Sequence, residues 1–263
     1  MKKTLRRFAP VALVLLGLTV LSFTTAAGIK LMLKPQQGKT YTVTQKANSI
    51  SVMKVQGQSM NMSQNMDITQ TFTPKEVNDS QSVIETQVEA IKMSVSQMGM
   101  KFEYDSEHPE KTSPLIAGQT QEFEKNLKKP ATLTFDSHGK LTSEKQDLGM
   151  SQLGHVIIEL PDEELVVGSK WNHLNEQEIS GTSFTVNMEY TVTAISKKSV
   201  DLSFSGNIDS KDVSGTYNGT ASIDPQTGLM VRNTTKSNIS MTINEQGLTI
   251  PMTVDATATI EVK

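Results

Sequence analysis

Histidines, carboxylates and thioethers are the side chains of this chain that could hold or transform a ligand. The four histidines are His108, His138, His155 and His173. None sits beside a Ser or Cys nucleophile in a recognisable elbow. There is no Gly-rich phosphate loop and no H-E-x-x-H zinc pattern. His155 and Glu159 lie four apart on a predicted helix, so both could face one ion. A zinc site takes three or four ligands, so the two read as an exposed helix pair. Asp162, Glu163 and Glu164, in L-P-D-E-E-L, lack the alternating oxygen ligands of a calcium loop and read as a solvated turn. Paired carboxylates for glycoside cleavage would meet only in space, and nothing points to them. These residues predict no catalytic group, no metal ligand set and no cofactor.

Methionine is the unusual count, at 14. Met53, Met60, Met62 and Met66 cluster, as do Met93, Met98 and Met100. Thioethers select Cu(I), so M-x-M on one strand face admits a copper reading. The competing reading is adaptable apolar filling. Met60, Met62 and Met66 share the parity of Ile68 and Phe72, which favours an apolar surface. The expected ligand face, suited to a lipid-like or other apolar molecule, comprises Met60, Met62, Met66, Met98, Met100, Met188 and Met252.

The elements that must carry such a face are strands. Even positions from Met60 to Phe72, from Phe184 to Ala194 and from Leu248 to Ile260 are mainly apolar, and the odd positions between them are polar. Successive side chains of a strand point to opposite faces, so each segment has one dry and one wet side. Between Val88-Ala90 and Ile91-Met93-Val95 the parity flips, as a β-bulge would make it do. The clean runs are about twice the usual strand length of about 5–6 residues. Long one-sided strands must twist and bury their dry face by curling or by stacking on a cover.

Turn chemistry separates the runs: Asn78-Asp79-Ser80, Lys197-Lys198-Ser199 and Asn244 to Gly247. F-D-S-H-G-K-L at Asp136 and I-D-P-Q-T-G-L at Asp224 read as hairpins. In each, the Asp bonds the backbone ahead of it and the Gly takes positive φ. These aspartates are expected to turn the chain rather than hold a ligand. Two helices are predicted. One starts at Ser113-Pro114, with Gln119, Phe123 and Leu127 on one side, and stops at Pro130. The other covers 145–160, with Met150, Leu153, Val156, Ile157 and Leu160 at helical spacing before Pro161.

The expected fold is therefore mainly β: a long-stranded, curved antiparallel sheet, as a half-barrel, barrel-like roll or sandwich, with about two short helices. G-K-T-Y (Gly38 to Tyr41) and G-S-K-W (Gly168 to Trp171) each open a run that ends in an Asp hairpin, which suggests two similar meanders. Residues 28–263 form one β-rich domain, with sub-units 31–144 and 166–263 joined by the helical segment 145–160.

Residues 1–27 read as a secretory signal peptide. Lys2, Lys3, Arg6 and Arg7 precede an apolar run from Phe8 to Phe23, and Thr25 and Ala27 suit cleavage. Its removal takes away basic residues and no acid, so the net charge of −3 becomes more negative. That disfavours nucleic acid and anionic lipid surfaces. With no Cys, an exported domain must rely on its core rather than on disulfides. No later stretch is apolar enough for a transmembrane helix. Aromatic residues make up 5% of the chain, too few for the girdles of an outer-membrane barrel.

At L-P-D-E-E-L-V-V-G-S-K-W and L-K-P-Q-Q-G-K-T-Y the chain resembles a family of uncharacterised exported bacterial β-rich proteins, a domain of unknown function. The resemblance implies a Gly-x-x-aromatic step opening each long meander and an Asp-x-x-Gly hairpin closing it. It supplies no catalytic residue. At the level of fold, the arrangement is similar to the half-barrels of lipoprotein carriers. The function expected is that of an exported, periplasmic or extracellular, non-catalytic envelope protein holding a lipid-like ligand. Alternatives are a structural or interaction module with an envelope protein as partner, and a hydrolase with dispersed residues.

Overall fold

The computed structural model describes residues 28–55, 57–143, 156–179, 182–210, 212–245 and 248–263. Among these, eleven strands make one antiparallel sheet: β1 (Tyr41–Val55), β2 (Gln58–Val77), β3 (Gln81–Gln97), β4 (Met100–Asp105), β5 (Ala131–Asp136), β6 (Lys170–Ile179), β7 (Thr182–Ile195), β8 (Val200–Asp209), β9 (Val213–Ile223), β10 (Met230–Glu245) and β11 (Leu248–Val262). Their order across the sheet is β4-β3-β2-β1-β11-β10-β9-β8-β7-β6, and β5 returns to pair with β3. The sheet is not closed into a barrel. Its two margins are β6 on one side and β4 with β5 on the other.

The alternation in the sequence is present as alternating burial. On β2, Ile68, Gln70 and Phe72 are buried while Asn61, Asn65 and Asp67 are exposed. On β7, Val186, Met188, Tyr190 and Val192 are buried and Thr185 and Asn187 are exposed. The parity flip in β3 is a bulge. Thr69 faces Ala90 and Gln70 faces Val88, which leaves Glu89 as the extra residue and returns Ile91 and Met93 to the dry side.

Two extended segments cover the dry face at one end of the sheet. Leu31 and Leu33, near the N-terminus, and Val156, Ile158, Leu160 and Leu165, before β6, are all buried against it. Each such apolar side chain contributes roughly 2 kcal/mol of burial. The segments pair at Ile29 and Leu165, whose N–H and C=O groups bond reciprocally at 2.9 and 2.8 Å. Residues 156–160 are extended, which corrects the helix expected over 145–160; its remaining residues up to 155 lie outside the described ones. Val156, Ile158 and Leu160 also alternate, and tertiary bonds decide between the two periods. Leu160 N–H donates to the His138 carbonyl (2.7 Å), and the Val156 carbonyl accepts from Met230 N–H (3.1 Å).

Both Asp hairpins grip these segments. The Asp136 carboxylate accepts from the N–H groups of His138 and Lys140, each at 2.9 Å. Asp224 accepts from Gln226 N–H at 2.9 Å and from the Thr227 hydroxyl at 3.0 Å. They are turn residues. The turns then hold the cover, because Leu33 N–H donates to the Ser137 carbonyl and Lys34 N–H to the Thr227 carbonyl, both at 2.8 Å. Gly139 (φ 82°) and Gly228 (φ 68°) serve twice, by adopting left-handed backbone and by admitting the cover's backbone where a Cβ would strike it.

The two Gly-x-x-aromatic steps have matching surroundings. Gly38 N–H donates to the Pro74 carbonyl and Gly168 N–H to the Val192 carbonyl, both at 2.8 Å. Tyr41 stacks on its cross-strand partner Phe72 (centroids 4.8 Å apart), and Trp171 stacks on its partner Tyr190 (5.2 Å). Strands β1-β2-β3-β5 and β6-β7-β8-β9 thus trace equivalent meanders, each ending in an Asp hairpin. The excursion through β4 and helix α1 (Ala117–Asn126), inserted between β3 and β5, makes the first meander the longer of the two.

The α1 region covers the dry side of β2, β3 and β4, where Ile116, Phe123 and Leu127 pack with Ile68, Ile91, Met93 and Tyr104. The helix begins differently from the sequence expectation. A 3-10 turn at Pro114–Ile116 leads into it. The Ser113 hydroxyl accepts from Glu103 N–H (3.1 Å) instead of capping the helix. The side chain of Gln119 lies outside the described ones. Among the described residues no helix is long and apolar enough to cross a membrane.

Candidate ligand-binding face

Burial falls off along the dry face of the central strands. On β1, Tyr41 and Val43 are buried, Ala47, Ser49 and Met53 are half-exposed, and Ser51 between the last two is buried. On β2, Phe72 and Ile68 are buried, but Met66, Met62 and Met60 are half-exposed. On β11, Ile260 is buried, but Ala258, Ala256, Val254 and Met252 are half-exposed. The cover and α1 pack against the first set. Beyond them the dry face continues with a larger share of half-exposed side chains among the described residues.

The register turns this part of the face into rungs across β2, β1, β11 and β10. One rung reads Met60, Met53, Met252, Met241, and the next reads Met62, Ser51, Val254, Ile239. Then come Gln64, Ser49, Ala256, Ser237, followed by Met66, Ala47, Ala258, Thr235. Small side chains on β1 and β11 make a low lane. Met60, Met62 and Met66 form one bank, and Ile239 and Met241, with Tyr217 opposite Ser237, form the other. The four rungs span seven residues of β2, roughly 20 Å at about 3.3 Å each.

The lane is electrically neutral. None of its four rungs has a charged side chain, whereas the wet face behind it has Lys46, Asp67, Lys236 and Asp255. Burial pushes the Tyr217 phenol up to about 12, and does the same to Tyr190, deeper in the core. Both stay protonated at physiological pH. Tyr104, behind α1, is also raised, first by burial and then by the charge of Glu124. Among the described residues its buried hydroxyl has no hydrogen-bond partner.

Of the methionines expected on a ligand face, Met60, Met62 and Met66 on β2 and Met252 on β11 lie along these rungs. Met188 is instead buried core, filling the space that a side chain at Gly206 would take. Met98 and Met100 lie at the margin of the sheet, and Met100 stands in register with Gln97 and through it with Met62. Met98 (φ 51°) and Gly99 (φ 79°) form the two-residue turn between β3 and β4, so Met98 is 73% and Met100 is 52% exposed at the hairpin tip. Met53 and Met241 join the face through register alone. Met53 was visible within a cluster, but nothing local in the sequence aligns Met241 with it.

The polar candidates disperse. His138 Nε2 lies 2.7 Å from Asp162, His173 Nδ1 lies 3.0 Å from Glu159, and His108 pairs with Glu110 at 3.4 Å. His155 lies outside the described residues. The Trp171 indole N–H donates to the Glu159 carbonyl (3.1 Å), so Glu159 anchors the cover to β6. Among the described residues no three His, Cys, Asp or Glu gather as metal ligands.

This architecture defines a class, the open, long-stranded antiparallel sheet whose dry face is partly covered by extended segments and a helix. A solved structure on lipid–protein interactions in lipovitellin is similar at 12% identity and a TM-score of 0.50. The match covers 87% of this chain and 25% of that one. The chain thus spans a quarter of the lipovitellin chain, and the likeness concerns the fold. An AttH protein from Nitrosomonas europaea matches at 11% identity and a TM-score of 0.18, covering 82% of this chain and 50% of that one. An outer-membrane channel from Pseudomonas putida F1 matches at 8% identity and a TM-score of 0.23, covering 88% of this chain and 97% of that one. Both TM-scores are too low to bear on the fold.

Residues 150–230 match a family described as "Family of unknown function (DUF6263)". That span takes in the second meander from the cover to the start of β10. No curated protein matches the chain.

Proposed function

We propose that this is an exported, non-catalytic envelope protein that holds one lipid-like apolar chain along the lane between Met66 and Met60. The observation that carries the reading is the change in burial: the strands buried at Tyr41, Phe72 and Ile260 continue as an uncharged surface that is half-exposed at Met53, Met62 and Val254, with Ser51, Ile239 and Met241 buried along it. Exposed apolar surface of this kind is what a greasy ligand removes from water. The lane's length of roughly 20 Å suits an extended acyl chain. The similar fold of lipovitellin, a protein whose lipid interactions have been described, supports the reading by analogy. Export rests on the leader-like residues 1–27.

Native mass spectrometry of protein purified from its own envelope tests it. The expected result is an added mass of lipid size and a fluorescence shift of an apolar dye that lipid reverses. A clean apo mass, with no dye response to added lipid, contradicts it.

A second reading follows from the β6 margin, which among the described residues pairs with β7 alone and exposes Leu174. An edge of this kind can accept a partner strand. A stoichiometric protein partner in envelope pull-downs, without a small ligand, favours that reading.

A further inference from the structure

We infer that the rung Met60, Met53, Met252 and Met241 is a binding site for a soft monovalent cation, Cu(I) or Ag(I). Four of the 14 methionines stand in one line across four adjacent strands, each directly opposite the next. Strands lie about 4.8 Å apart, and opposed Cβ atoms lie about 4.5–5.5 Å apart. Each thioether sits at the end of a side chain with three rotatable bonds, so neighbouring sulfurs can converge on one ion. Met53 is the central donor because it faces Met60 on one side and Met252 on the other.

The surroundings select for softness. Thioether sulfur favours Cu(I), whereas carboxylate and carbonyl oxygen suit hard cations. The next rung adds Met62, Ser51, Val254 and Ile239, with no carboxylate or imidazole, and the charged groups lining the cavity at Met241 and Met252 are Asp212 and Lys54. Met53, Met60 and Met252 are half-exposed, so an ion can reach them, and Met241 is buried at the inner end. Neutral sulfur donors bind without releasing protons, so affinity is flat across neutral pH.

This inference does not rest on the apolar-ligand reading. Leucine in place of methionine preserves apolar area but removes the soft donor. The test is a titration of the full chain, labelled with 13C at the methionine methyls, with Ag(I) followed by NMR. A parallel Cu(I) competition against a chromogenic chelator gives the affinity. One equivalent of Ag(I) should move the methyl signals of Met53, Met60 and Met252 and leave Met98 and Met100 in place. Met53→Leu should weaken Cu(I) binding at least tenfold, and Met98→Leu with Met100→Leu should leave it unchanged. The inference is overturned if no rung methyl moves at one equivalent, if the hairpin-tip methyls move instead, or if Met53→Leu binds Cu(I) like the parent. Met252→Leu gives the same reading should Met53→Leu fail to fold, and the wild-type shift map stands without any variant.

Discussion

Gly228 lies so close to the Met32 backbone that a Cβ on the glycine would strike the Met32 carbonyl. The contact joins the second Asp hairpin to the N-terminal cover, and the hairpin's φ of 68° already disfavours a side chain. Gly228→Ala should therefore destabilise the protein by about 2 kcal/mol or more, through left-handed strain plus displacement of the cover. Gly38→Ala is the control. Its φ is 78° but no atom lies within 4 Å of the added carbon, so only the strain, about 1 kcal/mol, should appear. Urea unfolding of both variants checks this, and equal losses would mean that the cover is not held there.

The cover should behave as core. Leu160 is buried, and its N–H is bonded to the first Asp hairpin. Leu160→Ala should cost about 2–5 kcal/mol, the usual range for a buried leucine. The change should also alter the fluorescence of the one tryptophan, because Trp171 is bonded to neighbouring Glu159. A loss below about 0.5 kcal/mol would show the segment to be loosely attached.

Much of the fold was legible because a strand's period of two is written locally. The parity flip after Ala90 located the bulge, and the two Asp hairpins were readable from Asp and Gly alone. What was not legible depended on partners distant in sequence. Val156, Ile158 and Leu160 satisfy both a helical and an extended spacing, and only the bonds to His138 and Met230 select the second. Met98 lies in the turn itself, whereas register, which no local window contains, sets Met100 in line with Gln97 and Met62. The methionine rung was invisible for the same reason: register aligns Met53 with Met252 and Met252 with Met241, and no local window contains that alignment.

Alkaline pH should unfold the protein through its buried tyrosines. Burial raises Tyr190 to about 12, whereas in the unfolded chain tyrosine ionises near its ordinary value of 10. The stabilising difference is complete below pH 10 and is lost as pH rises from 10 to 12, because the unfolded chain releases the proton first. The loss should be about 2–3 kcal/mol at pH 12 for Tyr190, from about 1.4 kcal/mol per unit. Tyrosinate absorbance in native and urea-unfolded protein gives the two midpoints, and coincident curves would contradict the buried phenol.

The hairpin tip should tolerate change. Met98 adopts a φ of 51°, where glycine is at ease. Met98→Gly should leave stability within about 1 kcal/mol of the parent and leave apolar-dye binding unchanged. A large loss of dye binding would return this residue to the ligand face.

The most direct measurement is fatty-acid binding by Met62→Glu, which puts a charge midway along the lane without touching the covered end of the sheet. Met62 is half-exposed, so the carboxylate can remain hydrated and the circular dichroism should match the parent. The parent should bind one fatty acid saturably, and the variant should bind it at least tenfold more weakly, since burying an unpaired charge beside an apolar chain costs more than about 1.4 kcal/mol. Equal affinity in parent and variant, or no saturable binding by the parent, would contradict the account.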